Sequence, residues 1–261
     1  MRFALGLEYD GRAYCGFQSQ PSGCSVQDAL ARALAAIADA PVRAVAAGRT
    51  DAGVHATSQI VHFDAPVARP LTAWIRGVNS HLPSCTAILW CAPVADDFHA
   101  RFAATARHYA YLLLDRDVRP ALLHGRVGWF HAPLDVDAMR DASRVLVGRH
   151  DFSSFRAAEC QAKSPVKTVA RLDVTRSAGL VRIDVCADAF LQHMVRNIVG
   201  ALVYVGNGRH PPAWIAELLA GRDRTRAAPT FAPDGLYLTG IDYPPRWNLP
   251  STHAPIRAFG V

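Results

Sequence analysis

Apolar residues recur at every second position near the start of the chain, at Phe3, Leu5, Leu7 and Tyr9. That period sets them on one side of an extended segment and predicts a strand over 2–9. The period then changes. Val26, Leu30, Leu34 and Ile37 fall on one stripe of a helix, opened by the capping-box pattern Ser25-x-x-Asp28 and stopped by Pro41. Short strands are predicted over 42–47 and 58–64, with a loop over 48–57 between them. A helix over 71–80 stops before Pro83, and a strand covers 86–94. The same order follows again: a strand over 106–114, a helix over 135–147 ended by Gly148, and strands over 168–176 and 180–187 joined by Ser177-Ala178-Gly179. A helix over 189–205, a short helix over 213–220 and a closing strand over 235–242 complete it. Pro244, Pro245, Pro250 and Pro255 mark the rest as a tail that lies over the surface or moves.

Each stretch reads strand-helix-strand-strand-helix-strand, the ferredoxin-like order. The expected class is α+β: two ferredoxin-like (βαββαβ) halves sharing a mainly antiparallel sheet, with helices on one side. The halves divide as 1–105 and 106–243, leaving 244–261 as the tail. Element order repeats but the residues do not. The short connection 95–105 favours a shared sheet over two independent domains, and a central cleft between the halves is then the default place for a site.

Composition narrows the class. The chain has 261 residues, 51% hydrophobic and 19% charged, enough to bury a core without disulfides or metal and too apolar for a disordered chain. It holds no run of about 20 uncharged apolar residues that would cross a membrane. The opening apolar run meets Glu8 and Asp10 too soon for a secretion signal, so a soluble cytoplasmic protein is expected. Cys15, Cys24, Cys85, Cys91, Cys160 and Cys186 form no C-x-x-C pair, so reduced thiols are expected throughout. The net charge is +6, and all of the 28 basic residues except Lys163 and Lys167 are arginine. The guanidinium fork suits phosphates and bases, although GC-rich coding also enriches arginine and alanine.

Several chemistries drop out on motif grounds. The chain carries no G-x-x-x-x-G-K-[ST] phosphate loop, no G-x-S-x-G elbow, no H-E-x-x-H pair and no zinc-deaminase signature. Three segments remain. The loop Gly48-Arg49-Thr50-Asp51-Ala52-Gly53-Val54-His55-Ala56-Thr57 is longer than a plain hairpin needs, and it groups a cation, a hydroxyl and a carboxylate. The alternative is a turn in which Thr50 and Asp51 bond only their own backbone. The segment Phe98-His99-Ala100-Arg101-Phe102-Ala103-Ala104-Thr105-Ala106-Arg107-His108-Tyr109-Ala110-Tyr111 interleaves basic and aromatic residues in a way that suits bases beside phosphates. Packing of tyrosines within a strand explains its second part as well. Arg196 stands in the apolar run 190–200, where it needs a partner, expected to be a carboxylate, or must reach the surface. Arg222, Arg224 and Arg226 read as a solvated face.

At these segments the chain resembles the bacterial tRNA pseudouridine synthase A family, over roughly residues 3–243. The resemblance is carried by Leu7-Glu8-Tyr9-Asp10-Gly11, Gly16-Phe17-Gln18, Ser25-Val26-Gln27 and, above all, the active-site signature Ala47-Gly48-Arg49-Thr50-Asp51-Ala52-Gly53-Val54-His55-Ala56. Phe98-His99-Ala100-Arg101-Phe102 with Arg107 and Tyr109, Lys163-Ser164-Pro165, His193–Gly200 and Gly235-Leu236-Tyr237-Leu238 match later blocks. Phe17 stands where tryptophan is usual, and Phe231 lies in a segment often shorter in bulk.

The resemblance implies the pseudouridine synthase fold with a central RNA-binding cleft. It implies a homodimer acting on uridines 38, 39 and 40 of the tRNA anticodon stem-loop, with no cofactor and no metal. Asp51 would be the nucleophile, Arg196 its cationic partner and Tyr109 the ring stacked on the target uracil. Arg49 would enter the RNA helix as the nucleotide leaves, and Arg101 and Arg107 would join the substrate contacts. A paired guanidinium favours an ionised carboxylate and fixes its direction. Two other readings stay open from the residues alone. One is a non-catalytic RNA-binding module, although the RNP1 pattern is absent. The other is a hydrolase in which Asp51 activates water.

Overall fold

The structure, a computed structural model, describes residues 1–256. Along the chain come β1 (Arg2–Tyr9), α1 (Val26–Ala38), β2 (Val45–Ala46), β3 (His55–Asp64), α2 (Val78–His81), β4 (Thr86–Pro93), β5 (Ala106–Asp115) and β6 (Gly128–Phe130). Then follow α3 (Val136–Ser143), β7 (Gly148–Asp151), β8 (Val166–Ser177), β9 (Leu180–Ala187), α4 (Met194–Gly206), α5 (Trp214–Gly221) and β10 (Leu236–Asp242). A π-helical turn, Ala73–Gly77, leads into α2. The class is mixed α+β with mainly antiparallel strands. Two compact units form, one from Met1–Arg107 with Tyr237–Ile256 and the other from His108–Leu236.

In the first unit the strands run β4-β1-β3-β10. The second edge of β3 is divided between two partners. β2 pairs with it antiparallel at Val61 and His62, and β10 pairs parallel at His55 and Ala56. The alternation read in β1 is the buried face: Phe3, Leu5, Leu7 and Tyr9 are all buried. Phe3 stacks on Phe63 with 5.7 Å between ring centres, and Trp74 from the π turn meets Phe63 edge-on at 5.1 Å. Helix α1 starts at the expected capping box. The Ser25 hydroxyl accepts from the Asp28 amide, and the Asp28 carboxylate accepts from the Ser25 amide. Asp39, in the left-handed region, ends it before Pro41.

The opposite face of β1 and β3 is covered differently. Trp90 lies over Gly6 so closely that a Cβ there would stand 2.1 Å from the indole nitrogen. His62 is buried, and its Nδ1 accepts the Ala100 amide at 3.1 Å. The tail folds back onto this unit. Thr57 donates to the Ala254 carbonyl at 2.6 Å, Ser58 to the Thr252 carbonyl at 3.0 Å, and Ile256 is buried. Residues 257–261 of the tail lie outside the described residues.

In the second unit the order is β5-β9-β8-β7, with β6 added parallel to β5. Helices α3, α4 and α5 touch one another, which sets them on a common face, and α3 lies on β8. The β8–β9 hairpin turns at Ala178 and Gly179, both with positive φ.

Four expectations need correction. β3 begins at His55 rather than 58, so the candidate loop contracts to 47–54. α4 begins at Met194 rather than 189, because its cap His193 has φ +61° and cannot continue a right-handed helix. β6 and β7 are too short to show a period and were not foreseen. Cys15 and Cys24 are joined in a disulfide, with their Cα atoms 5.7 Å apart, while Cys85, Cys91, Cys160 and Cys186 are in no disulfide. The turn closed by Gly23 N–H on the Gln20 carbonyl at 2.9 Å brings the pair together, and no spacing rule announces it. Among the described residues no helix is long and apolar enough to cross a membrane.

Burial pulls His62 from 6.5 down to about 4, and repulsion by His99 and Arg2 adds to the fall. The unfolded chain therefore takes up a proton below pH 6.5 that the folded chain refuses until about pH 4. Stability carried by the neutral imidazole is complete above pH 6.5 and is lost as pH falls through about 4. His62→Asn keeps an acceptor where Nδ1 stands but does not titrate. Its melting temperature is expected to fall less steeply than that of the parent across this window. Equal slopes in calorimetry would remove His62 as a cause.

Candidate active site

The first unit carries the loop 47–54 between β2 and β3. The register of β1 on β3 shifts next to it: Leu7 faces Gln59, yet Tyr9 faces Ala56. This irregularity turns the strand end toward the loop. The loop is then held mostly by its backbone. The Thr50 carbonyl accepts the Phe17 amide at 3.0 Å, and the Gly48 carbonyl accepts Gln59 Nε2 at 2.7 Å. Val54 N–H closes the turn on the Asp51 carbonyl at 3.2 Å. Buried Thr50 shares a 2.8 Å hydrogen bond with the Tyr9 hydroxyl, and burial pushes that phenol up to about 12, so it stays protonated.

Two glycines allow this approach. A Cβ on Gly11 would stand 2.1 Å from the Val54 carbonyl oxygen, and Gly16 takes φ +108° while lying against the backbone of Thr50 and Ala52. Below the loop, His55 Nδ1 lies 3.1 Å from the Gly11 amide and 3.3 Å from Asp10 Oδ1. Its ring stacks on Tyr237 at 4.6 Å. With its backbone gripped from outside, the loop presents Arg49 exposed and Asp51 half-buried.

Arg107, expected among the substrate contacts, bonds the protein itself. Its Nη2 donates to the Ala47 carbonyl at 3.1 Å and to the Arg101 carbonyl at 2.8 Å, and its Nη1 donates to the Ala104 carbonyl at 3.3 Å. One planar fork thus ties the base of the Asp51 loop to the segment that carries Arg101. Arg101 is exposed, with its guanidinium 5.8 Å from the centre of the Phe102 ring. Four of the residues singled out in the sequence, Arg49, Asp51, Arg101 and Arg107, therefore belong to this unit.

Tyr109 and Arg196 belong to the second unit. Tyr109, on β5, is buried and meets Phe190 edge-on at 5.2 Å. Arg196, on α4, is half-buried, and its Nε donates to the Phe231 carbonyl at 2.8 Å. Within this unit one of its partners is therefore a backbone carbonyl. Phe231 returns its amide to the Arg196 carbonyl at 3.2 Å, and Tyr111 donates to the Ala232 carbonyl at 2.9 Å.

The segment 228–231 is fixed in turn by residues that motif reading missed. Asn197 is fully buried, donates to the Phe155 carbonyl at 2.8 Å, and accepts from Thr230 at 2.7 Å and from Arg224 at 3.1 Å. Arg224 also donates to the Ala228 carbonyl at 2.8 Å, and burial lowers its pKa. It is not part of a solvated face, as its basic run suggested. An amide inside so apolar a helix was the available signal for Asn197.

Gly16→Ala forces a side chain into a left-handed backbone conformation beside the Thr50 carbonyl. It is expected to lower stability by about 1 kcal/mol or more in urea unfolding. A midpoint equal to that of the parent would show that the loop backbone yields freely.

Comparison with known proteins adds an independent finding. A family model described as tRNA pseudouridine synthase matches residues 7–103 and 142–244. A protein of Chromobacterium violaceum named tRNA pseudouridine synthase A is 63% identical over 252 residues, covering 96% of each chain. Proteins of the same name from Dechloromonas aromatica and Thiobacillus denitrificans are 60% and 59% identical. They cover 96% and 97% of this chain, and 95% and 97% of their own lengths.

Proposed function

Because the chain belongs to the tRNA pseudouridine synthase family, we propose that its substrates are uridines 38, 39 and 40 of the tRNA anticodon stem-loop and that Asp51 is the nucleophile. The coarser activity is the family's own: the chain is an isomerase that converts uridine in tRNA to pseudouridine. The single observation that supports the finer reading is the loop 47–54. Its backbone is held by Phe17, Gln59 and Arg107 and its Thr50 hydroxyl by Tyr9, so Asp51 and Arg49 stand on a support fixed from outside the loop.

The reaction breaks the N1–C1′ bond, turns the uracil and forms a C5–C1′ bond; the proton on C5 leaves to solvent and N1 takes one up, so the mass is unchanged. No electrons are exchanged with a second substrate. A carboxylate serves by attacking the sugar or the base, or by taking a sugar proton. A uridine inside a stem must first leave the stack, at a cost of a few kcal/mol that arginine–phosphate contacts offset. Arg49 enters the space that the nucleotide leaves. Tyr109 is the flat ring that keeps the freed uracil from drifting. Arg196 is the cation that accompanies the carboxylate, with its Nε anchored on Phe231. The active species is a homodimer that grips tRNA with both subunits.

Asp51→Asn is expected to fold and bind tRNA but to release no tritium from tRNA carrying 5-tritiated uridine. Activity within tenfold of the parent would take Asp51 out of the mechanism. Arg196→Met is expected to lose turnover while tRNA affinity holds, and a collapse of affinity instead would make Arg196 a phosphate contact. Intact-mass measurement separates isomerisation, which leaves the tRNA mass unchanged, from hydrolysis, which frees uracil or shortens the RNA.

A further inference from the structure

Phe102 is 76% exposed, in a chain that otherwise buries most of its phenylalanines. Exposed apolar residues are common and by themselves carry no message. This one is held in place. His99 Nδ1 accepts the amides of both Arg101 and Phe102 at 3.2 Å, which caps the turn 99–102. The His99 ring then stacks on Phe102, with centres 4.2 Å apart and planes 28° from parallel. Behind it, buried His62 lies 4.7 Å from His99 and takes the Ala100 amide. A chain of imidazoles rooted in β3 therefore supports the phenyl ring from within. Arg101 stands beside the ring and is itself exposed.

The turn is also tied to the candidate active site. The Arg107 guanidinium bonds both the Arg101 carbonyl at 2.8 Å and the Ala47 carbonyl at 3.1 Å, at the base of the Asp51 loop. A flat apolar ring, braced from behind, flanked by a cation and fastened to the catalytic loop, fits a nucleobase joined to a phosphate. Base-on-aromatic stacking tolerates any base, and the neighbouring arginine meets the backbone charge.

We propose that Phe102, displayed with Arg101 on the His99-capped turn, is a stacking platform for an unpaired base of the substrate tRNA other than the reacting uridine. The proposal rests on tRNA being the substrate, as argued above.

The test uses full-length protein and measures both tRNA dissociation constants and tritium release. Phe102→Ala is expected to weaken tRNA binding about tenfold to hundredfold with an unchanged melting temperature. Phe102→Trp should bind like the parent, whereas Phe102→Leu, apolar but not flat, should bind like Phe102→Ala. The loss should be the same at low and high salt, since no phosphate contact is removed, while Arg101→Met should lower the salt slope. Phe102→Ala with affinity within twofold of the parent would overturn the platform, as would Phe102→Leu with parental affinity. A change in the oligomeric state of RNA-free Phe102→Ala, with tRNA affinity intact, would assign the ring to a protein interface and overturn it equally. A parent protein that binds tRNA but releases no tritium would sink the reaction proposed above and leave the stacking result readable. A parent that binds no tRNA would sink both.

Discussion

The loop 47–54 is held chiefly through its backbone, and that constraint organises the whole region around Asp51. The Thr50 and Gly48 carbonyls are taken by Phe17 and Gln59, the Thr50 hydroxyl by Tyr9 and the Ala47 carbonyl by Arg107. Each of these partners lies outside the loop. The result is a short, rigid support for one carboxylate and one guanidinium, which is what positioning at a reacting centre demands. Gly11 and Gly16 follow from the same need, since a methyl group at either would meet the loop backbone.

The long, strongly periodic elements could be read from the residues before any coordinates. β1 shows its buried face at every second residue, and α1 carries its start in Ser25 and Asp28, because both features are local. The start of β3 could not be read, since His55 and Ala56 are strand through pairing with β10 and with Tyr9 of β1, both distant in the chain. His193 likewise looks like one more residue of an apolar helix, and only its left-handed backbone reveals the true start of α4. Asp51 stood out through its dense polar neighbourhood. The grip on it did not, because Phe17, Gln59 and Arg107 contribute through single hydrogen bonds that leave no pattern in sequence.

The arginines teach a related lesson. Their abundance suggests phosphate contacts, yet Arg107, Arg196 and Arg224 all donate to backbone carbonyls within their own units. A planar fork with several donors can join two segments where a lysine would reach only one. In the second unit this use is layered. Arg224 and Thr230 meet on the buried Asn197, which fixes 228–231, and the Phe231 carbonyl then holds Arg196. Net charge therefore overstates how much of the basic surface is left for nucleic acid.

The first unit joins Met1–Arg107 to Tyr237–Ile256, with β10 on β3 and the Thr252 and Ala254 carbonyls on Ser58 and Thr57. Chains emerge from the ribosome in one direction, and domains commonly fold in that order. Here β1 and β3 wait for β10 before their sheet is complete. Until β10 has been made, the His55–Ala56 stretch of that edge is an open strand in the nascent polypeptide, exposed to pairing with other chains.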